Sequence, residues 1–170
     1  MKLLKNQAVA WGLTVVMIVA AIGIGYARAP KAPLPEPSNA PGASDSYVWD
    51  DAGVLSGSTR RALNERNDRL LREHNAVIGV VTCNYGKDDL ADYAWEQVEQ
   101  MGLSGQDMFI ILDVKGGTYG LIQGSDIVRD FTDQDCADYL ADYLEVPFSK
   151  GDYDSAVLRL TEALEYWYNN

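Results

Sequence analysis

The chain has 170 residues, about one domain, and its 47% hydrophobic and 23% charged side chains exclude a wholly disordered chain, a collagen and a disulfide-framework miniprotein. Against 14 basic residues stand 25 acidic ones, and the excess is uneven: residues 1–45 carry +2, while 46–170 hold 10 basic and 23 acidic groups, for −13. So acidic a folded part repels phosphate backbones, which excludes sequence-independent nucleic-acid binding, and two cysteines with one histidine exclude a Cys/His zinc cluster.

Lys2 and Lys5 precede an uncharged run from Ala8 to Tyr26, 19 residues that as helix span about 28 Å, close to the thickness of a bilayer core. A cleaved signal peptide is the competing reading, since Ala27-Arg28-Ala29 resembles an A-x-A site. The run is longer than the usual apolar region of about 7–15 residues, and Pro30 directly after the site hinders a peptidase. The expectation is a retained N-terminal transmembrane helix within 1–29, crossing the cell membrane once through residues 8–26 with the domain on the extracytoplasmic side. Five of the six prolines then fall between Pro30 and Pro41. Such a stretch favours extended, polyproline-like backbone and builds no core, so 30–46 reads as a linker.

From Tyr47 to the end, 47–170 reads as one α/β domain. Ser56 caps a helix running to about His74, with Leu63, Leu70 and Leu71 inward. Residues 76–83 form a short, nearly continuous apolar run rich in β-branched side chains, as a buried strand requires. Leu90, Ala94, Val98 and Met101 repeat at helical spacing up to Gly102. Residues 108–112 make a second buried strand, and Lys115-Gly116-Gly117 turns it back into 118–123 as a hairpin. Thr132 opens a helix with Cys136, Leu140 and Leu144 on one face, and Gly151 or Asp152 starts the last helix, with Val157, Leu160, Leu164 and Trp167 inward. That order predicts a three-layer α/β/α sandwich with a mixed central sheet.

Several segments together resemble the TPM domain family. Tyr47-Val48-Trp49-Asp50-Asp51-Ala52-Gly53-Val54-Leu55-Ser56 is similar to its opening signature, an aspartate followed by Ala-Gly-x-Leu-Ser ahead of a helix. A strand at 78–82, Tyr93-Ala94 in a helix, Asp107-Met108-Phe109-Ile110-Ile111-Leu112, Gly124 and the run from Pro147 to Tyr153 follow in the family's order, over about 47–168. The resemblance implies an α/β/α domain outside the cytoplasm, often tethered by a membrane helix. It also implies an accessory role for membrane complexes, a phosphatase label, and calcium at an acidic cluster. One departure is that the usual Asp-Asn-Gly before the second strand reads Asp107-Met108-Phe109 here.

Asp50 and Asp107 are the positions carried over from that family as candidate catalytic residues, each weighed against a turn, capping or amide-bonded loop role. With Asp51 and Asp126 they make the candidate metal set, which as hard oxygen ligands suits Ca²⁺ or Mg²⁺; Asp126 alternatively starts a helix. Asp152 reads as a cap, and Asp130, Asp133, Asp135, Asp138 and Asp142 as a solvated helix face. Cys83 and Cys136 form either a disulfide or two core thiols. His74 falls near a helix end, and no G-x-S-x-G or P-loop is present. Two functions stay in view. The first is a membrane-tethered accessory module binding a membrane-protein partner or a divalent cation. The alternative is a metal-assisted phosphatase acting through Asp50 and Asp107, which the scarcity of nearby basic residues (Lys115 and Lys150) and the −13 charge disfavour.

Overall fold

Two aliphatic runs, Ile78–Cys83 (β2) and Met108–Asp113 (β3), occupy the middle of the sheet in the computed structural model, which describes residues 47–170. Every residue of both strands is buried. A strand shielded on both faces shows no polar side, so neither run alternates. Val48–Asp50 (β1) pairs in parallel with β2, β2 pairs in parallel with β3, and Thr118–Gln123 (β4) returns antiparallel along β3. The result is a mixed four-stranded sheet of order β1-β2-β3-β4. β1 escapes a sequence reading because three residues are too few to establish a period. The anchor and linker expected over 1–46 lie outside the described residues.

Helices cover both faces. α1 (Gly57–His74) starts where the Ser56 side chain accepts from the Thr59 amide and stops at Asn75, whose left-handed backbone (φ 51°) ends the helix. α2 (Leu90–Met101) stops at Gly102, also left-handed. α3 (Asp133–Tyr139) opens with a reciprocal capping box between Thr132 and Asp135. A wider turn, Leu140–Leu144, carries it into α4 (Glu145–Ser149), and there the Glu145 amide reaches back to the Leu140 carbonyl. The widening falls just before Pro147, which has no amide hydrogen to give to the preceding turn. α5 (Tyr153–Tyr168) begins where Asp152 accepts from the Ser155 amide.

Strand alternation divides the core in two. Val48, Ile78, Val80, Met108, Ile110, Leu112, Tyr119 and Leu121 pack under α1, α5 and the 133–149 helical segment. Val77, Val81, Cys83, Phe109, Ile111 and Ile122 pack against Leu90 and Ala94 of α2. Each fully buried Leu or Ile contributes roughly 1.5–3 kcal/mol. On α1 the inward stripe is Leu63, Asn67 and Leu70, whereas Leu71, expected inward, is 38% exposed. The Asn67 amide pairs with the Ile78 backbone in both directions, at 2.9 and 2.8 Å, so a polar side chain sits in the stripe without an unmet hydrogen bond. α1 and α5 are clamped where Glu165 accepts from Arg66 (2.7 Å) and Arg69 (2.9 Å).

The two cysteines are free, buried thiols. Cys83 ends β2, while the Cys136 thiol donates to Gln123 at the far end of β4, five residues along from the Thr118 that pairs beside Asp113. That places them about 17 Å apart along the strands, far beyond disulfide reach.

Candidate functional site

At the carboxyl ends of β1–β3, Asp50 closes the first strand and its side chain is 3% exposed. Its Oδ1 accepts from the Thr82 hydroxyl (2.6 Å) and the Val54 amide (3.0 Å). Its Oδ2 accepts from the Leu55 amide (3.1 Å) and Arg60 Nη1 (3.0 Å). Burial alone raises a carboxyl pKa, but four donors outweigh it and hold Asp50 below the usual carboxylate range. An ionised carboxylate offers about four acceptor positions, so this one is saturated by the chain itself. Asp51 beside it is exposed on the following turn. The same end holds Asp113, a fully buried residue that reading the sequence misses. Asp113 accepts from the Gly86 amide (2.7 Å) and the Gly116 amide (3.0 Å), and so ties the loop after β2 to the β3–β4 turn. Its sequence signal was a charged residue ending an apolar strand just before Lys115-Gly116-Gly117.

The amino end of β3 is built differently. Asp107, 8% exposed, accepts from the Val77 amide (2.7 Å) and the Ser104 amide (2.5 Å). Here burial prevails over the amides, and the carboxyl is pushed above its ordinary value. Its carbonyl accepts from Gly124, where an added Cβ would lie 2.2 Å from the Gly105 carbonyl oxygen. Only glycine permits that approach. Asp126 follows on an exposed turn rather than at a helix start, with its amide bonded to the same Gly105 carbonyl.

Sheet register corrects the expectation that Asp50 and Asp107 converge. Asp50 pairs with Thr82 and Thr82 with Leu112, while Asp107 lies five residues before Leu112 on the third strand. At about 3.3 Å per residue the two carboxylates are separated by about 16 Å along the strands alone. Asp50 and Asp51 share one end; Asp107 and Asp126 share the other. A single Ca²⁺ needs six to eight oxygens within about 2.6 Å, so this four-residue set does not fit one ion. Among the described residues no three His, Cys, Asp or Glu side chains are grouped to hold a metal, and no buried side-chain polar atom lacks a hydrogen bond.

The remaining candidates for chemistry are occupied too. His74 Nε2 bonds Asn169 Oδ1 at 2.8 Å. Burial pushes the Cys83 thiol up to about 11 and the Cys136 thiol further, the reverse of what a reactive thiolate needs. Aromatic side chains dominate two surfaces. Tyr85 stacks on Tyr93 at 4.4 Å beneath the Lys87 ammonium, 4.8 Å above the ring. A groove of about 340 Å³ runs between the 133–149 segment and α5, lined by Tyr139, Tyr143, Arg159, Glu162, Ala163 and Tyr166.

Residues 48–166 match the TPM domain family. Two solved structures share the fold. The N-terminal domain of a P. gingivalis protein is 20% identical with a TM-score of 0.66, over 74% of this chain and 83% of that one. The N-terminal domain of a Corynebacterium glutamicum protein is 21% identical with a TM-score of 0.58, over 76% and 84%. No curated protein matches the sequence.

Proposed function

The chain belongs to the TPM domain family, and we propose that it is a membrane-tethered, extracytoplasmic binding module, an accessory domain for a protein partner in a membrane complex. The observation that carries this reading is the state of Asp50: all four of its acceptor positions are taken by Thr82, Val54, Leu55 and Arg60. A general base, a nucleophile or a cation ligand needs a free lone pair aimed at open space. Asp107, the second residue of the phosphatase reading, is buried at the opposite end with both oxygens facing amides. Carboxylates used this way fix turns and strand ends. Aromatic-rich surface, which protein interfaces favour, is left over for recognition.

The tether in this proposal is the apolar run at 8–26, outside the described residues; among the described residues no helix is long and apolar enough to cross a membrane. Hydrolysis of a generic phosphate ester by the full chain in detergent, with and without Ca²⁺ or Mg²⁺, tests the reading. The expected result is no turnover above buffer in any condition. Turnover that requires the divalent ion and disappears in Asp107→Asn, with the fold retained, would overturn it in favour of the metal-assisted phosphatase.

A further inference from the structure

The groove between the 133–149 segment and α5 is aromatic within and acidic around. Tyr139 and Tyr143 line one side, and Arg159, Glu162, Ala163 and Tyr166, spaced as one stripe of α5, line the other. The Tyr139 ring is held edge-on by Phe131 at 5.0 Å and meets Tyr143 at 5.4 Å, whereas Tyr166 is 69% exposed. The chain's own cations do not take these ring faces: among the described residues the one cation–ring pair is Lys87 over Tyr85, at the other aromatic surface.

The walls fix the sign of the field. The 133–149 segment carries Asp133, Asp135, Asp138, Asp142 and Glu145 and no basic residue. On α5, Asp154, Glu162 and Glu165 stand against Arg159. Glu165 is neutralised by Arg66 and Arg69 of α1, which leaves seven carboxylates against one guanidinium. Asp133, Asp135 and Asp138 accept hydrogen bonds from Gln123, Thr132 and Gln134. Those donors are uncharged, so they satisfy oxygens and leave the charge in place. Tyr139 reports the result. Burial first, then Tyr143, Asp135 and Tyr166 around it, push its phenol above the ordinary range. A further negative charge at that point is opposed, and a positive one is favoured.

We propose that this groove receives a basic segment of the protein partner, with Arg or Lys side chains laid on the tyrosine faces and paired to the acidic rim. The inference rests on the binding-module reading above and names the chemistry of that partner. A cation on a tyrosine face gains from the ring's negative quadrupole, and the carboxylates around the groove add to the attraction and steer the encounter. An acidic segment or an anionic lipid surface meets the opposite field. Arg159 acts against the occupant, because its charge alone among the groove's lining side chains opposes docking.

Binding of a fluorescein-labelled oligo-arginine peptide to the full chain in neutral detergent, read by anisotropy, is the test, with oligo-glutamate of the same length as the reference. Oligo-arginine is expected to bind and oligo-glutamate is not. Tyr166→Ala removes a ring and no charge, and should weaken binding about fivefold, while Tyr166→Phe, which keeps the ring, should not weaken it. Glu162→Gln should weaken it about threefold and Arg159→Gln should tighten it about as much, a gain that a misfolded variant cannot give. Glu96→Gln, exposed on α2 over the other face of the sheet, should leave the affinity unchanged. Absence of oligo-arginine binding, or equal binding of oligo-glutamate, would overturn the proposal. So would an affinity that Tyr166→Ala leaves intact, or that Glu96→Gln lowers as much as Glu162→Gln, since the attraction would then belong to the whole acidic surface. Binding that fades as the protein is concentrated, with a doubled mass in light scattering, would overturn it too, because the occupant would be a second copy. None of these results bears on the phosphate-ester assay, whose turnover is what overturns the binding-module reading itself.

Discussion

The two ends of the sheet shift the pKa of the same side chain in opposite directions. At the carboxyl end Asp50 is surrounded by a hydroxyl, two amides and a guanidinium, and its carboxyl is stabilised as the anion. At the amino end Asp107 has two amides and no cation, and there the burial of the carboxyl prevails and pushes its pKa above the ordinary value. Burial opposes ionisation at both places, so the number and charge of the donors decide the outcome. Both residues nevertheless do one kind of work, joining segments distant in sequence. Asp50 links β1 to β2 and α1, and Asp107 links the entries of β2 and β3 to the exit of β4.

The largest effect that tests this contrast is Asp50→Asn. Exchanging one oxygen for an NH₂ group leaves two of four donors facing a donor, and the expected loss is about 3 kcal/mol in denaturant unfolding. Asp107→Asn turns only one amide against a donor and removes a carboxyl that resists ionisation, so about 1–2 kcal/mol is expected. An equal or larger loss at Asp107 would break the contrast.

The pH dependence sharpens it. Asp50, with its pKa lowered by folding, contributes stability that is present above the unfolded value of about 3.9 and is lost as pH falls through the folded value. Asp107, with its pKa raised, has the opposite sign: it takes up a proton more readily folded than unfolded, so stability falls as pH rises from about 3.9 through the folded value. Unfolding free energy followed from pH 7 to 3 should therefore decline more steeply in Asp107→Asn than in the wild type, and less steeply in Asp50→Asn. Arg60→Ala gives the smallest effect. Its side chain is 48% exposed, and about 0.5 kcal/mol, shrinking with added salt, is expected from equilibrium unfolding.

Much of this layout can be read from the residues. Ser56, Thr132 and Asp152 are polar side chains whose oxygens suit helix starts, and each caps one here. Gly102 stops α2 because it accepts a left-handed backbone without strain. Residues 76–83 and 108–112 read as buried strands because they are nearly continuous apolar runs. The placement of the carboxylates was also available in principle. Asp50 ends a strand, Asp107 precedes one, and in parallel strands an end and a beginning lie at opposite edges of the sheet. The three-residue β1 hid that rule, since without it Asp50 reads as a turn residue with no strand to end. Asp113 was hidden for a different reason: its partners, Gly86 and Gly116, are backbone amides whose positions no side-chain pattern announces.

The unequal cover of the sheet has its own consequence. One face is roofed by α1, α5 and the 133–149 segment, with Glu165 locking two of those elements together, while over Val81, Phe109 and Ile111 a single helix, α2, packs with Leu103 and loop aromatics. Among the described residues no ion pair joins α2 to another helix, and a helix packed on the sheet by itself is the part that can lift away with the rest intact. Amide exchange will therefore begin along α2, and a protease given time will find the chain there first.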